Sequence, residues 1–282
     1  MSDKIDRQRG QIALIALLVL TIATTVGLSL IARTTTDITV TRNLEDSNRA
    51  FSAAEAGIEE TLKSGVSGAA TVDSAYGVSY TVTTASFNGT AGNPFVFPQK
   101  TPNEQTETVW LVNHSGAAIT ETPTYTGNSI DVCWSSEPVI PALVVSILYK
   151  KASDGTYQMA KQAYDPNSAR ALSNNFSAPT ATTGGCGVGT NTTYKSTIQF
   201  SSLVPSVNPA ADTIIFLRIR PVYNGTQIAV GPVQDLPIQG NRIESLGQTA
   251  SGVNRKIIVY KQYRSPDSVF DYAVFSQGSF LK

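Results

Sequence analysis

The fold turns on residues 6–65, DRQRGQIALIALLVLTIATTVGLSLIAR (6–33) followed by TTTDITVTRNLEDSNRAFSAAEAGIEETLKSG (34–65). No residue between Ile12 and Ala32 is charged. As a helix, those roughly 21 residues rise about 32 Å, which matches a hydrocarbon core of about 30 Å. A secretory signal has a shorter apolar region, about 7–15 residues, and ends at a small-x-small site. Here Thr34, Thr35 and Thr36 follow instead. The run therefore reads as a transmembrane span over 12–32. Lys4, Arg7 and Arg9 precede it, while Arg33, Arg42 and Arg49 follow it. Positive charge thus gives only a weak vote for an N-terminus inside. The β-rich, Ser/Thr-rich remainder argues more strongly for export of the C-terminal part.

The helix is expected to continue past the membrane. Ile38, Leu44, Phe51, Ile58 and Leu62 recur at spacings that read as one apolar stripe. No proline or glycine occurs from Leu28 to Ala56; Gly57 is a tolerated weak point, and Gly65 and Gly68 read as the stop. A continuous helix from Gln11 to Lys63 would be about 80 Å long. The threonines of 34–41 have poor helix propensity and read as a soft joint. An anchor needs only the first half of such a rod. The second half packs on its own globular part, and a sharper reading adds a face for other copies.

These residues resemble the N-termini of type IV pilin-like proteins, most closely minor pilins of the PilX kind and the tip pseudopilin of type II secretion. The resemblance rests on a basic leader ending in Gly10, an uncharged run after it, and Ala50-Phe51-Ser52-Ala53-Ala54-Glu55-Ala56 further along the same helix. It spans Arg7 to Leu62. RIESLGQTASGVNRKIIVYKQY (242–263) adds a weaker match to a pilin-type hairpin. The resemblance implies a leader of residues 1–10, with Lys4, Arg7 and Arg9 as its basic residues. A prepilin peptidase would cut after Gly10, leaving Gln11 as an N-methylated terminus. A helix over 11–65 would sit in membrane lipid before joining other pilin or pseudopilin subunits, with Leu44, Phe51, Ala54, Glu55, Ile58 and Leu62 as packing positions. The chain would then occupy the cytoplasmic membrane, N-terminus inside, and an extracellular pilus. Two positions depart from the major-pilin pattern: Gln11 replaces the usual Phe or Met, and Ile15 stands where a glutamate is expected. A carboxylate in hydrocarbon is costly unless paired, so Ile15 removes both that cost and a device for setting register. The tip pseudopilin lacks the glutamate as well, which favours a tip or initiating subunit over the bulk one. The alternative is a permanently anchored surface adhesin or binding module.

Composition sets further bounds. Net charge is zero and charged residues make up 15%, unlike a nucleic-acid binder with a basic face or a charge-rich disordered chain. Abundant Ser and Thr, eleven Tyr and many Val and Ile suit a β-rich exported protein. Cys133 and Cys186 fit either a disulfide, closing a loop of roughly fifty residues, or two buried free thiols.

From Tyr76 the hydrophobic period changes to two. YGVSYTVTTASF, ETVWLVN, SIDVCW, ALVVSILYKK, TYQMAKQAY, KSTIQF, TIIFLRIRPVY and RKIIVY read as strands, with Asn88-Gly89, Asp154-Gly155 and Asn224-Gly225 among the turns. The expected class is α+β. In it the long helix packs on an antiparallel sheet head from 66–93 and 241–282. An immunoglobulin- or fibronectin III-like β-sandwich is inserted over 94–240, with Trp134 as a core anchor.

No catalytic, metal or cofactor signature stands out, and the chain reads as a non-enzyme. His114 sits in the polar stretch Asn113-His114-Ser115-Gly116 and reads as an exposed loop histidine. No Gly-x-Ser-x-Gly elbow accompanies it, and one His with two distant Cys makes a weak metal set. Gly184-Gly185-Cys186-Gly187-Val188-Gly189 lacks the lysine of a phosphate loop and reads as a flexible loop. Acidic residues at calcium-loop spacing are absent. Sequons at Asn88, Asn113, Asn175, Asn191 and Asn224 carry little information in so Ser/Thr-rich a chain. Tyr125 and Tyr157 read as exposed strand aromatics able to meet a sugar. Any surface ligand of the head is left unspecified.

Overall fold

The computed structural model describes residues 5–116 and 118–268, with side chains from Ile12 onward. The class is α+β: one long apolar N-terminal helix followed by antiparallel sheets. The chain divides into two compact units. The first comprises 1–84 and 243–259, the second 85–242 and 260–282. The divisions fall inside three strands of one sheet.

Helix α1, Ile5–Ser64, is continuous for 60 residues. The helix runs without a break through 34–41, the stretch expected to be a soft joint. Each of Thr34, Thr35, Thr36, Thr39 and Thr41 turns its hydroxyl back onto the carbonyl four residues earlier, at 2.8–3.0 Å. Such i−4 bonds seat a threonine hydroxyl within a helix at a small cost, and the helix runs through them unbroken. The helix ends where Gly65, at φ 74°, donates its N–H to the Thr61 carbonyl, a left-handed cap that only glycine adopts freely.

The first unit places α1 beside a sheet of order β1-β2-β13-β14. Its strands are β1 Ala69–Asp73, β2 Val78–Phe87, β13 Gly240–Gln248 and β14 Asn254–Gln262. Ile58, Val82 and Ile243 form its small core, with Tyr80, Ile257 and Val259 packed at the edge.

The second unit holds two four-stranded sheets. One has the order β10-β7-β12-β3, the other β4-β11-β8-β9, and a hairpin β5-β6 completes the unit. The ranges are β3 Phe95–Val96, β4 Glu107–Trp110, β5 Val112–Ser115, β6 Ala118–Thr124 and β7 Ser129–Trp134. They continue with β8 Ala142–Lys150, β9 Tyr157–Tyr164, α2 Ser168–Asn174, β10 Tyr194–Gln199, β11 Thr213–Val222 and β12 Ile228–Pro232. Both sheets feed one apolar cluster. Val132, Trp134 and Ile198 come from the first sheet, and Val145, Ile147, Leu217 and Ile219 from the second. Trp134 is fully buried and donates its indole N–H to the Pro141 carbonyl at 3.0 Å.

Strand β11 is buried on both faces. Its register against β8 shifts between Ile214 and Phe216, so Ile214 and Leu217 both join the main cluster. Ile215 and Phe216 form a separate cluster with Trp110 and Val112, against which Leu148 and Tyr263 pack. A bulge permits this by inserting one extra residue between inward-facing positions.

Candidate functional site on the long helix

The surface most open to function is α1 itself, whose two halves differ in kind. Every Val, Leu and Ile from Ile12 to Ile31 is more than half exposed. Soluble chains rarely leave so large an apolar patch against water, and the helix is long and apolar enough to cross a membrane. Its threonine hydroxyls are satisfied internally: Thr21 donates to the Leu18 carbonyl at 2.8 Å, Thr24 to the Thr21 carbonyl at 2.9 Å and Thr25 to the Ile22 carbonyl at 2.8 Å. A span in hydrocarbon requires that, because no water is there to take an unsatisfied donor. Ile15 lies on this exposed surface at 58%. Gly10 and Gln11 are consecutive residues inside α1, which also carries Arg7 and Arg9; Lys4 lies outside the described residues.

The second half packs on its own sheet, but not through the expected stripe. Ala50, Ala53, Ala54, Gly57, Ile58 and Thr61 are buried. They sit at i, i+3, i+4, i+7, i+8 and i+11, the pattern of one helix face. This face is built of small residues because backbone meets backbone there. A Cβ on Gly247 of β13 would collide with the Ala50 carbonyl oxygen and sit 2.7 Å from the Ala54 nitrogen. A Cβ on Gly57 would sit 2.7 Å from Val82 and 2.8 Å from Tyr80.

Of the expected packing positions, Ala54 and Ile58 serve this intramolecular face. Leu44, Phe51 and Leu62 do not: they are 62%, 47% and 41% exposed, and Glu55 is exposed beside them. At about 100° per residue, Leu44, Phe51, Glu55 and Leu62 fall within about 40° of one another on the helix wheel, with Ile58 at their edge. Ile38 lies about 120° from Leu44 on the same wheel and leaves the stripe. The expected single stripe is therefore an exposed band that touches the packed face only at Ile58. Apolar spacing located the large residues; alanine and glycine, which carry the internal contact, give no such signal.

Polar contacts fix the lower end of this packing. Ser251 donates to Asp46 at 2.7 Å and Arg255 to Ser47 at 2.8 Å. Arg49 lies 3.7 Å over the Tyr76 ring and pairs with Glu45 at 2.6 Å. These contacts lie at the partly exposed edge of the packing, so they set register more than they add stability.

The second unit holds the remaining candidates. Cys133 and Cys186 are joined by a disulfide. His114 is on strand β5, not in an exposed loop. Its ring stacks on Tyr263 at 3.9 Å and meets Trp110 edge-on at 4.6 Å. Burial holds its imidazole below the ordinary histidine value. Polar neighbours hid this strand, and Tyr263 is distant in sequence. Tyr125 is buried rather than exposed: its hydroxyl donates to the Ser129 carbonyl at 2.9 Å and accepts from the Val233 N–H at 3.0 Å. Tyr157 is exposed and donates to Glu121 at 2.6 Å. Among the described residues no group of three or more His, Cys, Asp and Glu side chains is arranged to hold a metal ion.

One buried network had no sequence reading. The Asp165 side chain is fully buried and takes both arms of Arg170 at 2.7 Å. Asn174 donates to the same carboxylate at 2.8 Å, and Arg170 covers the Tyr223 ring at 3.9 Å. Burial alone would raise this carboxyl, but the hydrogen bonds from Arg170, Asn167 and Asn174 outweigh it and hold it below the usual range. The signal was present in Asp165-Pro166-Asn167-Ser168, since Asn167 caps α2 by accepting the Arg170 N–H at 3.2 Å.

Comparison with protein-family models, with curated proteins and with solved structures gives no match.

Proposed function

We propose that this chain is a minor pilin-like structural subunit, held in the cytoplasmic membrane by α1 and passed from there into an extracellular filament. One observation carries the reading: a single 60-residue helix joins an exposed apolar span to an amphipathic half that packs on a sheet through small residues. That leaves Leu44, Phe51, Glu55 and Leu62 exposed for helices of other pilin or pseudopilin subunits. Cleavage by a prepilin peptidase after Gly10 would free Gln11 as the new terminus. Ile15, in place of a glutamate, supports a tip or initiating position, because it offers no charge to pair with a neighbour's amine. The sheet of the first unit and the whole second unit are then exported, the second unit as an immunoglobulin- or fibronectin III-like β-sandwich. The role is structural and non-catalytic.

Co-expression of the full chain with a prepilin peptidase, followed by intact-mass measurement, tests this. A mature chain starting at Gln11 is expected, with or without one methyl group. A chain still carrying residues 1–10 would defeat the proposal.

The size and separate core of the second unit favour a second reading, a permanently anchored binding module. Shear fractionation separates the two: recovery with sheared filaments supports the subunit, and retention in the membrane fraction alone supports the anchored module.

A further inference from the structure

We propose that Cys186 is the exchangeable sulfur of the Cys133–Cys186 disulfide, and that the concavity beside it admits a low-molecular-weight thiol. The two sulfurs differ sharply in access. Cys133, in mid-sheet on β7, is fully buried, whereas Cys186 is half-buried. Cys186 lines an open concavity of about 370 Å³, together with Gly184, Gly185, Gly231, Asp131 and Lys195; Cys133 does not reach it. That volume is within the range of small-molecule sites.

Missing side chains keep the approach open. Gly184, Gly185 and Gly187 have φ of 79°, 46° and 108°, conformations that disfavour other residues. A Cβ on Gly231 would lie 3.4 Å from Cys186 Sγ and would cover it from the β12 side. The rim is electrically balanced: Lys195 Nζ lies 3.6 Å from Asp131 Oδ2, and Thr197 donates to Asp131 Oδ1 at 2.6 Å. An incoming thiolate therefore meets no isolated carboxylate.

The loop also has ties that survive loss of the sulfur bridge. Ala181 and Lys195 exchange two backbone hydrogen bonds at 2.9 Å, Gly185 donates to the Thr193 carbonyl at 3.0 Å, and the Cys186 N–H donates to Thr192 Oγ1 at 3.1 Å. Exchange at Cys186 can thus proceed without unfolding the segment that carries it.

The step is thiol–disulfide exchange. The thiolate of a small thiol attacks Cys186 Sγ and forms a new sulfur–sulfur bond. The Cys133–Cys186 bond breaks, and its electron pair leaves on Cys133 Sγ, which takes a proton from solvent. The small thiol's sulfur is oxidised to the mixed disulfide, Cys133 is reduced, and no further oxidant is needed. Attack by Cys133 on the mixed disulfide restores the bridge.

The test uses the full chain, folded in detergent micelles, with glutathione as the probe. After acid quenching and alkylation of free thiols, peptide mass mapping locates the adduct. Glutathione on Cys186 with alkylated Cys133 is expected in at least tenfold excess over the reverse. Adducts mainly on Cys133, an equal distribution, or exchange only after guanidinium unfolding would each overturn the proposal. Gly231→Ala tests the route: exchange at Cys186 should slow several-fold, and an unchanged rate would exclude this concavity as the path. The wild-type mapping stands whether or not that variant folds.

Discussion

Gly247→Ala is the sharpest probe of how α1 meets its sheet. The added methyl would collide with the Ala50 carbonyl oxygen and lie 2.7 Å from the Ala54 nitrogen. Both are backbone atoms of a continuous helix, so no rotamer change relieves the contact and the helix itself must move. Overpacking costs about 1–3 kcal/mol in general, and a clash with two backbone atoms of one helix belongs at about 2–3 kcal/mol on that scale. Gly57→Ala is the internal control. Its methyl meets the Val82 Cγ2, Tyr80 Cδ2 and Ser245 Oγ atoms, all in side chains that can give. It also gains up to about 1 kcal/mol of helix propensity. The expected loss for Gly57→Ala is therefore at most about half that of Gly247→Ala. Thermal unfolding of the full chain in micelles, followed by proteolysis after Lys63, reads the first unit. A shift of about 10–20 °C is expected for Gly247→Ala, at about 4–8 °C per kcal/mol for a body of this size. A first-unit transition unchanged by Gly247→Ala would refute the close helix–sheet approach.

Other perturbations act on the second unit. Replacing Cys133 and Cys186 by Ser removes a bridge spanning 53 residues; by the chain-entropy model it should cost about 4 kcal/mol, read from the guanidinium midpoint. Arg170→Ala strands a carboxylate whose side chain is fully buried. It should cost about 3–5 kcal/mol, checked by the same denaturation. His114 has a folded-state value held below 6.5 by burial. The unfolded chain therefore takes up the proton first, so stability present above pH 6.5 should fall as pH drops through that value toward the lower folded one. His114→Phe should flatten this part of the melting-temperature profile between pH 7 and 5.

How much of this was legible follows from what each element buries. The helix and the long strands carried their own periods: ALVVSILYKK and TIIFLRIRPVY place β8 and β11 because both are buried in mid-sheet. The β11 bulge was hidden, since an unbroken apolar run cannot show where its facing reverses. Strand β1 was missed because AATVD is almost wholly exposed and takes its order from pairing with β2. Helix α2 was missed because none of its residues is buried; its cap and the Asp165–Arg170 pair hold it instead. His114 was misplaced because its burial depends on Tyr263, a contact that local sequence cannot show.

Ala50-Phe51-Ser52-Ala53-Ala54-Glu55-Ala56-Gly57 carries the last argument, because its small and large residues serve opposite purposes. Ala50, Ala53, Ala54 and Gly57 face the sheet, while Phe51 and Glu55 face away from it. The fold needs the small set and leaves Phe51 with nearly half its surface uncovered. Phe51→Ser should therefore change first-unit stability by less than about 0.5 kcal/mol, as exposed substitutions usually do. Ala54→Leu, on the packed face, should cost about 1–3 kcal/mol by overpacking. If the exposed band meets other subunits, Phe51→Ser should also lower recovery of the chain in sheared filaments while its melting curve stays in place. A large fall in first-unit stability on Phe51→Ser would assign the ring to the chain's own packing and remove it from the surface offered to neighbours.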